Sequence, residues 1–187
     1  YCRTHLVYLH GSDESPPLGG LAVPDLLLLT SSACTHYFKW WDALQHIYDR
    51  PLIFVNTPRV MESQSIPDYY MDYAMSEIQQ AIADIEKIVG VEITHDKLSE
   101  AVRRSGQVVD YWHKLLELQK AVPCPVGLSD LGNALFVLIV LVGTQEGVDL
   151  MKRIYDETRQ RVAEGKSILS EGEERHRLLW INIPFWY

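Results

Sequence analysis

Two short apolar runs, separated by a stretch of helical spacing, constrain the fold of this chain more than any other feature. The first run covers residues 26–29 and directly follows Pro24-Asp25, and the second covers residues 51–55. Continuous runs of this kind predict strands buried on both faces, as in a parallel sheet covered by helices. Between them, residues 36–49 carry apolar side chains at helical spacing. The order predicts a βαβ unit.

Long helices are predicted after the second strand. Apolar spacing indicates helices at residues 71–89, 96–120 and 130–142, and a fourth that begins after an N-cap at Thr144 and ends at Gly165. Gly90 is placed as a left-handed C-terminal cap. Residues 177–183 are predicted to form a strand that returns to the sheet. The predicted fold class is therefore α/β, a Rossmann- or flavodoxin-like domain with a short parallel sheet and a helical insertion over residues 60–170.

Composition excludes several function classes. The 17 Lys and Arg residues against 25 Asp and Glu give a net charge of −8, which argues against binding of nucleic acid backbones. The longest apolar run, residues 134–142, has nine residues against the roughly 20 that a membrane-spanning helix needs. Only 3 Cys residues are present, which indicates a reducing, cytoplasmic compartment where thiols stay free or bind metal.

The cysteines are the first candidates for chemistry. Cys34 lies in the turn after the first predicted strand, where the start of a helix favours a thiolate, the nucleophilic and metal-binding form. A small buried turn residue is the alternative interpretation of Cys34. No CxxC spacing joins Cys2, Cys34 and Cys124, so a shared site would have to be built from separate loops. Cys124, between two prolines, is interpreted as a loop thiol or packing residue.

The polar neighbours of Cys34 are the second candidates. Ser31, Ser32 and His36 flank it and are candidates for substrate contact or for contact with its sulfur. Turn capping is the competing role for the serines. His36 is expected to point to another face of the helix, because two positions along a helix do not share a face. The sequence has no GxSxG, GxxxxGK[ST], HExxH or GxGxxG motif.

Three segments in order resemble one known family. Residues 24–58 combine an apolar strand after Pro-Asp, the Cys34 turn, KWW at 39–41 and NTP at 56–58. GTQEG at 143–147 follows, and then the pattern ExxRLxWxxxPxW at 174–186. Together they resemble the 2-hydroxyacyl-CoA dehydratase and benzoyl-CoA reductase family, over nearly the whole chain.

The resemblance implies an iron–sulfur subunit. Family members hold a 4Fe-4S cluster by three cysteines from separate loops, and Cys2 and Cys34 match the first two ligands. The third ligand lies in a second α/β domain beyond the Pro-x-Trp segment. The chain is accordingly expected to be one α/β domain, residues 1–187, of a two-domain subunit, truncated at both ends. Alone it is expected to be inactive and to hold no stable cluster.

The resemblance also implies partners and a reaction. Members pair with a homologous second subunit, bind an acyl-CoA thioester and receive a low-potential electron from a separate ATP-dependent iron–sulfur activator. The leading hypothesis is a benzoyl-CoA reductase-type subunit of anaerobic aromatic degradation, which reduces an aromatic acyl-CoA. The alternative is radical dehydration of a 2-hydroxyacyl-CoA. A non-enzymatic, flavodoxin-like interaction module is the second alternative, and it predicts that Cys2 and Cys34 lie far apart.

Overall fold

The described part of the chain forms two compact units. The computed structural model describes residues 23–32, 34–58, 65–169 and 174–178. The two units divide between Ile93 and Thr94. The first unit is α/β and the second is helical, so the predicted combination of a short sheet and a large helical part is confirmed.

The first unit contains the predicted βαβ arrangement. Strand β1 (Leu27–Thr30) is followed by helix α1 (His36–Tyr48), strand β2 (Leu52–Val55) and helix α2 (Asp68–Val89). The strands pair in parallel, with Leu28 opposite Ile53. The crossover through α1 is the connection that parallel neighbours require.

Each strand is buried on one face only. Leu27 and Leu29 of β1 are 7% and 5% exposed, whereas Leu28 between them is 45% exposed. In β2, Ile53 is buried and packs with Ala81 of α2, while Phe54 is 42% exposed and meets the ring of Phe38 from α1 edge-on. The expectation of strands buried on both faces is therefore wrong here, because Leu28 of β1 and Phe54 of β2 remain exposed between buried neighbours.

Helix α2 ends as predicted but leaves much of its apolar stripe exposed. Gly90 has φ +70°, and its N–H donates to the carbonyl of Glu86 at 2.8 Å, which is a left-handed C-terminal cap. Met75 and Ile78 are 49% and 42% exposed. Packing on the sheet uses Ala81 and Ile85 instead.

The second unit consists of three helices around one core. They are α3 (His95–Leu118), α4 (Leu128–Val140) and α5 (Gln145–Ala163). The bounds lie within three residues of the predicted ones. The core is formed by fully or nearly fully buried side chains, namely Val108, Leu115, Ala134, Val137, Val148 and Met151.

The GTQEG segment at 143–147 has a clear structural basis. Gly143 has φ +85°, a conformation that glycine adopts without strain. The Thr144 hydroxyl accepts from the Gly147 N–H at 3.0 Å, which confirms Thr144 as the N-cap of α5. A Cβ on Gly147 would lie 2.2 Å from the carbonyl oxygen of Leu141. The motif thus starts α5 in close contact with the end of α4.

Residues 174–178 attach to the loop that follows α3. The Glu174 carboxylate accepts from the Cys124 N–H at 2.5 Å and pairs with Arg177. The Arg177 guanidinium donates to the carbonyls of Gln119 and Ala121 at 2.7 and 2.9 Å. The Glu and Arg of the ExxR pattern therefore act together on one loop.

The two described residues of the predicted strand at 177–183 do not support a strand. Arg177 and Leu178 are not in a strand, and Leu178 is 92% exposed. Residues 179–183 lie outside the described residues. Arg177 instead uses its side chain to bind backbone carbonyls.

Candidate functional site

The candidate site is the turn between β1 and α1, at the carboxyl edge of the parallel strands. Ligands of open α/β sheets bind beyond this edge. Cys34 lies two residues before the first residue of α1, and its carbonyl accepts from the Tyr37 N–H at 2.9 Å. The Cys34 thiol is free and exposed. It is therefore accessible to a metal ion or a reactant, and the interpretation as a buried turn residue is wrong.

Cys34 and His36 are brought together. The Sγ atom of Cys34 lies 3.4 Å from Nδ1 of His36, within the distance of a sulfur hydrogen bond. The expectation that His36 points away is wrong: Cys34 lies before the first residue of α1, and its sulfur contacts Nδ1 of His36. The pair is formed by two neighbouring exposed side chains.

The two serines take part in the turn itself. The Ser31 hydroxyl donates to the Thr57 carbonyl at 3.0 Å and accepts from the Thr57 N–H at 2.7 Å. The Ser32 hydroxyl lies 2.7 Å from the Thr30 hydroxyl. Ser31 thereby ties the turn after β1 to the turn after β2.

Three residues near this edge did not emerge as site candidates from the sequence. The Asn56 N–H donates to a Glu77 carboxylate oxygen at 2.9 Å, and the Asn56 side-chain amide donates to the Tyr73 hydroxyl at 3.0 Å. Asn56 follows β2 directly, so its position at the carboxyl edge of the sheet could have identified it as a site candidate from the sequence. Tyr73 and Glu77 lie one helical turn apart in α2, and nothing local indicates their partner.

Aromatic side chains cover the start of α1. The Tyr37 ring stacks on Trp40 with centroids 5.7 Å apart and meets Trp41 edge-on at 5.4 Å. The Trp41 indole N–H donates to the Leu28 carbonyl at 2.9 Å. The KWW segment thus anchors α1 to β1 beside the Cys34 turn.

The donor set can be compared with the cluster that the family resemblance implies. Cys34 fits as an iron ligand, since it is a free, exposed thiol at a helix start. Cys2 lies outside the described residues, so its distance from Cys34 stays open. Cys124 donates its thiol to the Val126 carbonyl at 3.2 Å, which agrees with a loop role. Among the described residues, no group of three or more His, Cys, Asp or Glu side chains could hold a metal ion.

The helices in the described part of the chain differ from membrane-spanning segments. None of them combines the length and the apolar character needed to cross a bilayer.

The sequence matches one protein family along almost its whole length. Residues 4–187 match the family described as 2-hydroxyglutaryl-CoA dehydratase, D-component. This chain belongs to that family. The predicted resemblance is therefore confirmed.

Several characterised relatives are similar over the full chain. It is 29% identical to the (R)-phenyllactyl-CoA dehydratase alpha subunit of Clostridium sporogenes, over 100% of this chain and 45% of that protein. It is 27% identical to the (R)-2-hydroxyisocaproyl-CoA dehydratase alpha subunit of Clostridioides difficile, over 100% and 45%. It is also 27% identical to a benzoyl-CoA reductase subunit of Thauera aromatica, over 100% and 44%. The chain thus spans less than half the length of these relatives.

Proposed function

We propose that this chain is part of an iron–sulfur subunit that passes low-potential electrons to an acyl-CoA thioester. The observation that carries the proposal is Cys34, a free and exposed thiol at the carboxyl edge of the sheet, in a chain that belongs to the dehydratase family. Cys34 and Cys2 are the ligands that we assign to a 4Fe-4S cluster, with a third ligand in a second α/β domain after residue 187. The cluster would supply a low-potential electron.

This chain's own residues serve such a site in distinct ways. His36 is proposed to donate from Nδ1 to the Cys34 sulfur, because the two atoms lie 3.4 Å apart. Ser31 holds the turn through Thr57, and Ser32 through Thr30. The stacked rings of Tyr37 and Trp40 are proposed to form an apolar wall beside the turn when substrate is bound, since exclusion of water protects reactive species from side reactions.

Two reactions are compatible with this role. Reduction of an aromatic acyl-CoA is the leading hypothesis from the sequence, and a reductase subunit is one of the relatives. Dehydration of a 2-hydroxyacyl-CoA is favoured by the family description and by two relatives of equal or higher identity. We therefore place dehydration first and benzoyl-CoA reductase-type reduction second. Either reaction is proposed to use a homologous second subunit and a separate ATP-dependent activator.

The iron–sulfur role is tested on the complete gene product that contains this chain. The protein is reconstituted without oxygen, with iron and sulfide, and bound iron and the electron paramagnetic resonance (EPR) signal are measured. Cys34→Ala is expected to lose the cluster signal. Cys124→Ala is the matched control and is expected to keep it. An unchanged signal in Cys34→Ala would contradict the proposal, whereas a gene product that binds no cluster at all would favour the flavodoxin-like interaction module.

The reaction is tested with the second subunit, the activator and ATP present. A 2-hydroxyacyl-CoA and benzoyl-CoA are offered separately, and the products are separated by chromatography. Turnover of the 2-hydroxyacyl-CoA alone supports dehydration. Turnover of benzoyl-CoA alone would reject it in favour of ring reduction.

A further inference from the structure

The turn that carries Cys34 is tied to the turn after β2. The Ser31 hydroxyl accepts from the Thr57 N–H at 2.7 Å and donates to the Thr57 carbonyl at 3.0 Å. The Ser31 N–H also donates to the Val55 carbonyl at 3.0 Å. Ser31 lies three residues before Cys34, so these bonds fix the beginning of the turn that carries the thiol. On the other side, the Cys34 carbonyl is bound by the Tyr37 N–H.

Helix α2 holds the second of these turns. Glu77 accepts from the Asn56 backbone N–H at 2.9 Å, and the Tyr73 hydroxyl accepts from the Asn56 amide at 3.0 Å. The two helix residues are four positions apart and share a face. Asn56 donates its backbone N–H to Glu77 and its side-chain amide to Tyr73. One residue is thus fixed through its backbone and its side chain together.

We propose that Tyr73 and Glu77 are positioning residues for Cys34, and that they act through Asn56, Thr57 and Ser31. Ser31 joins the ends of β1 and β2 here, through its bonds to Thr57 and Val55. Fixing the turn after β2 therefore fixes the turn after β1. The proposal rests on the proposed function for its biochemical meaning. The coupling itself, that is, the effect of Tyr73 and Glu77 on the Cys34 turn, is a property of the apoprotein.

The coupling is measured first on the apo form of the complete gene product. The rate of Cys34 alkylation by iodoacetamide is followed by mass spectrometry of its peptide, which separates it from Cys2 and Cys124. Tyr73→Phe and Glu77→Ala are expected to raise this rate roughly threefold or more, because each removes a hydrogen bond from the turn. Glu77→Gln keeps an acceptor oxygen and is expected to restore a rate near that of the unmodified protein.

Controls separate positioning from general destabilisation. Tyr69→Phe removes a hydroxyl one turn earlier on α2, outside this network, and is expected to leave the rate unchanged. Ser31→Ala is expected to raise the rate, and adding Tyr73→Phe to it should produce little further change. Full additivity of the two substitutions would overturn the proposed route through Ser31. Circular dichroism identifies any variant that fails to fold.

The same variants are then reconstituted with iron and sulfide. Tyr73→Phe and Glu77→Ala are expected to lose iron to a chelator faster and to alter the EPR line shape. Glu77→Gln is expected to keep the iron-release rate and the line shape of the unmodified protein. If no variant or unmodified protein binds a cluster but the alkylation rates change as expected, positioning stands and the proposed function fails. If the cluster forms and the alkylation rates of Tyr73→Phe and Glu77→Ala are unchanged, positioning is wrong.

Discussion

The Cys34 sulfur lies 3.4 Å from Nδ1 of His36, although the two residues are only two positions apart. This contact exists because Cys34 lies before α1 and His36 is its first residue. A hydrogen-bond donor next to a ligand sulfur is a known means of tuning an iron–sulfur centre.

Replacing His36 by Ala is expected to lower the reduction potential of the reconstituted cluster. A donor at the ligand sulfur stabilises the more negative, reduced form, so its removal disfavours reduction. His36→Asn keeps a donor near the Nδ1 position and should restore most of the potential. The measurement is a redox titration followed by EPR, with His46→Ala, on the same helix, as the control. An equal potential in all four proteins would show that His36 does not donate to Cys34.

Replacing Gly147 by Ala is expected to destabilise the protein by about 1–3 kcal/mol, as overpacking does. A Cβ there would lie 2.2 Å from the Leu141 carbonyl oxygen, so α4 and α5 would have to move apart. Gly132→Ala is the matched control within α4, where a Cβ meets nothing within 4 Å. That change should stabilise by about 0.5–1 kcal/mol, because alanine loses less entropy in a helix. Urea unfolding measures both, and equal effects would contradict the close contact.

Replacing Met151 by Ala is expected to cost about 2–5 kcal/mol, as for other large-to-small changes in a core. Met151 is 0% exposed and packs in the core of the second unit. Met71, which is 61% exposed, provides a control of identical chemistry, and Met71→Ala should change stability by less than about 0.5 kcal/mol. Guanidinium unfolding followed by far-UV circular dichroism compares them. A similar cost at both positions would show that Met151 is not a core residue.

Acid sensitivity is expected to depend on Glu174. The Cys124 N–H and the Arg177 guanidinium lower the pKa of Glu174 below its ordinary value of 4.5. The ionised carboxylate therefore contributes stability above pH 4.5, and this contribution is lost as the pH falls through the lower folded-state pKa. Glu174→Gln should lower stability near neutral pH and flatten its decline in acid.

The pH profile is measured as urea unfolding midpoints from neutral pH to pH values below 4.5. Glu117→Gln, which removes an exposed carboxylate paired with Lys120, is the control and should keep the decline. A Glu174→Gln profile parallel to that of the unmodified protein would show that the Cys124 and Arg177 contacts do not stabilise the carboxylate.

The sequence predicted the elements well, because local patterns govern them. The apolar runs located β1 and β2, and Thr144 and Gly90 marked helix ends through caps that depend on a few adjacent residues. It predicted the buried face of α3 less well. The sequence offers two adjacent valines, of which Val109 is 38% exposed whereas Val108 is fully buried. The identity of adjacent valines cannot tell which one meets α5.

The sequence by itself determined the α/β class, the family and Cys34 as the residue to examine. Only the tertiary structure decided which side chains meet around that cysteine. Asn56 is 17 residues from Tyr73 and 21 from Glu77, and Ser31 is 26 residues from Thr57. Such contacts form only after β1 and β2 pair and α2 packs on the sheet, because hydrogen bonds between distant residues depend on backbone positions that no local pattern encodes.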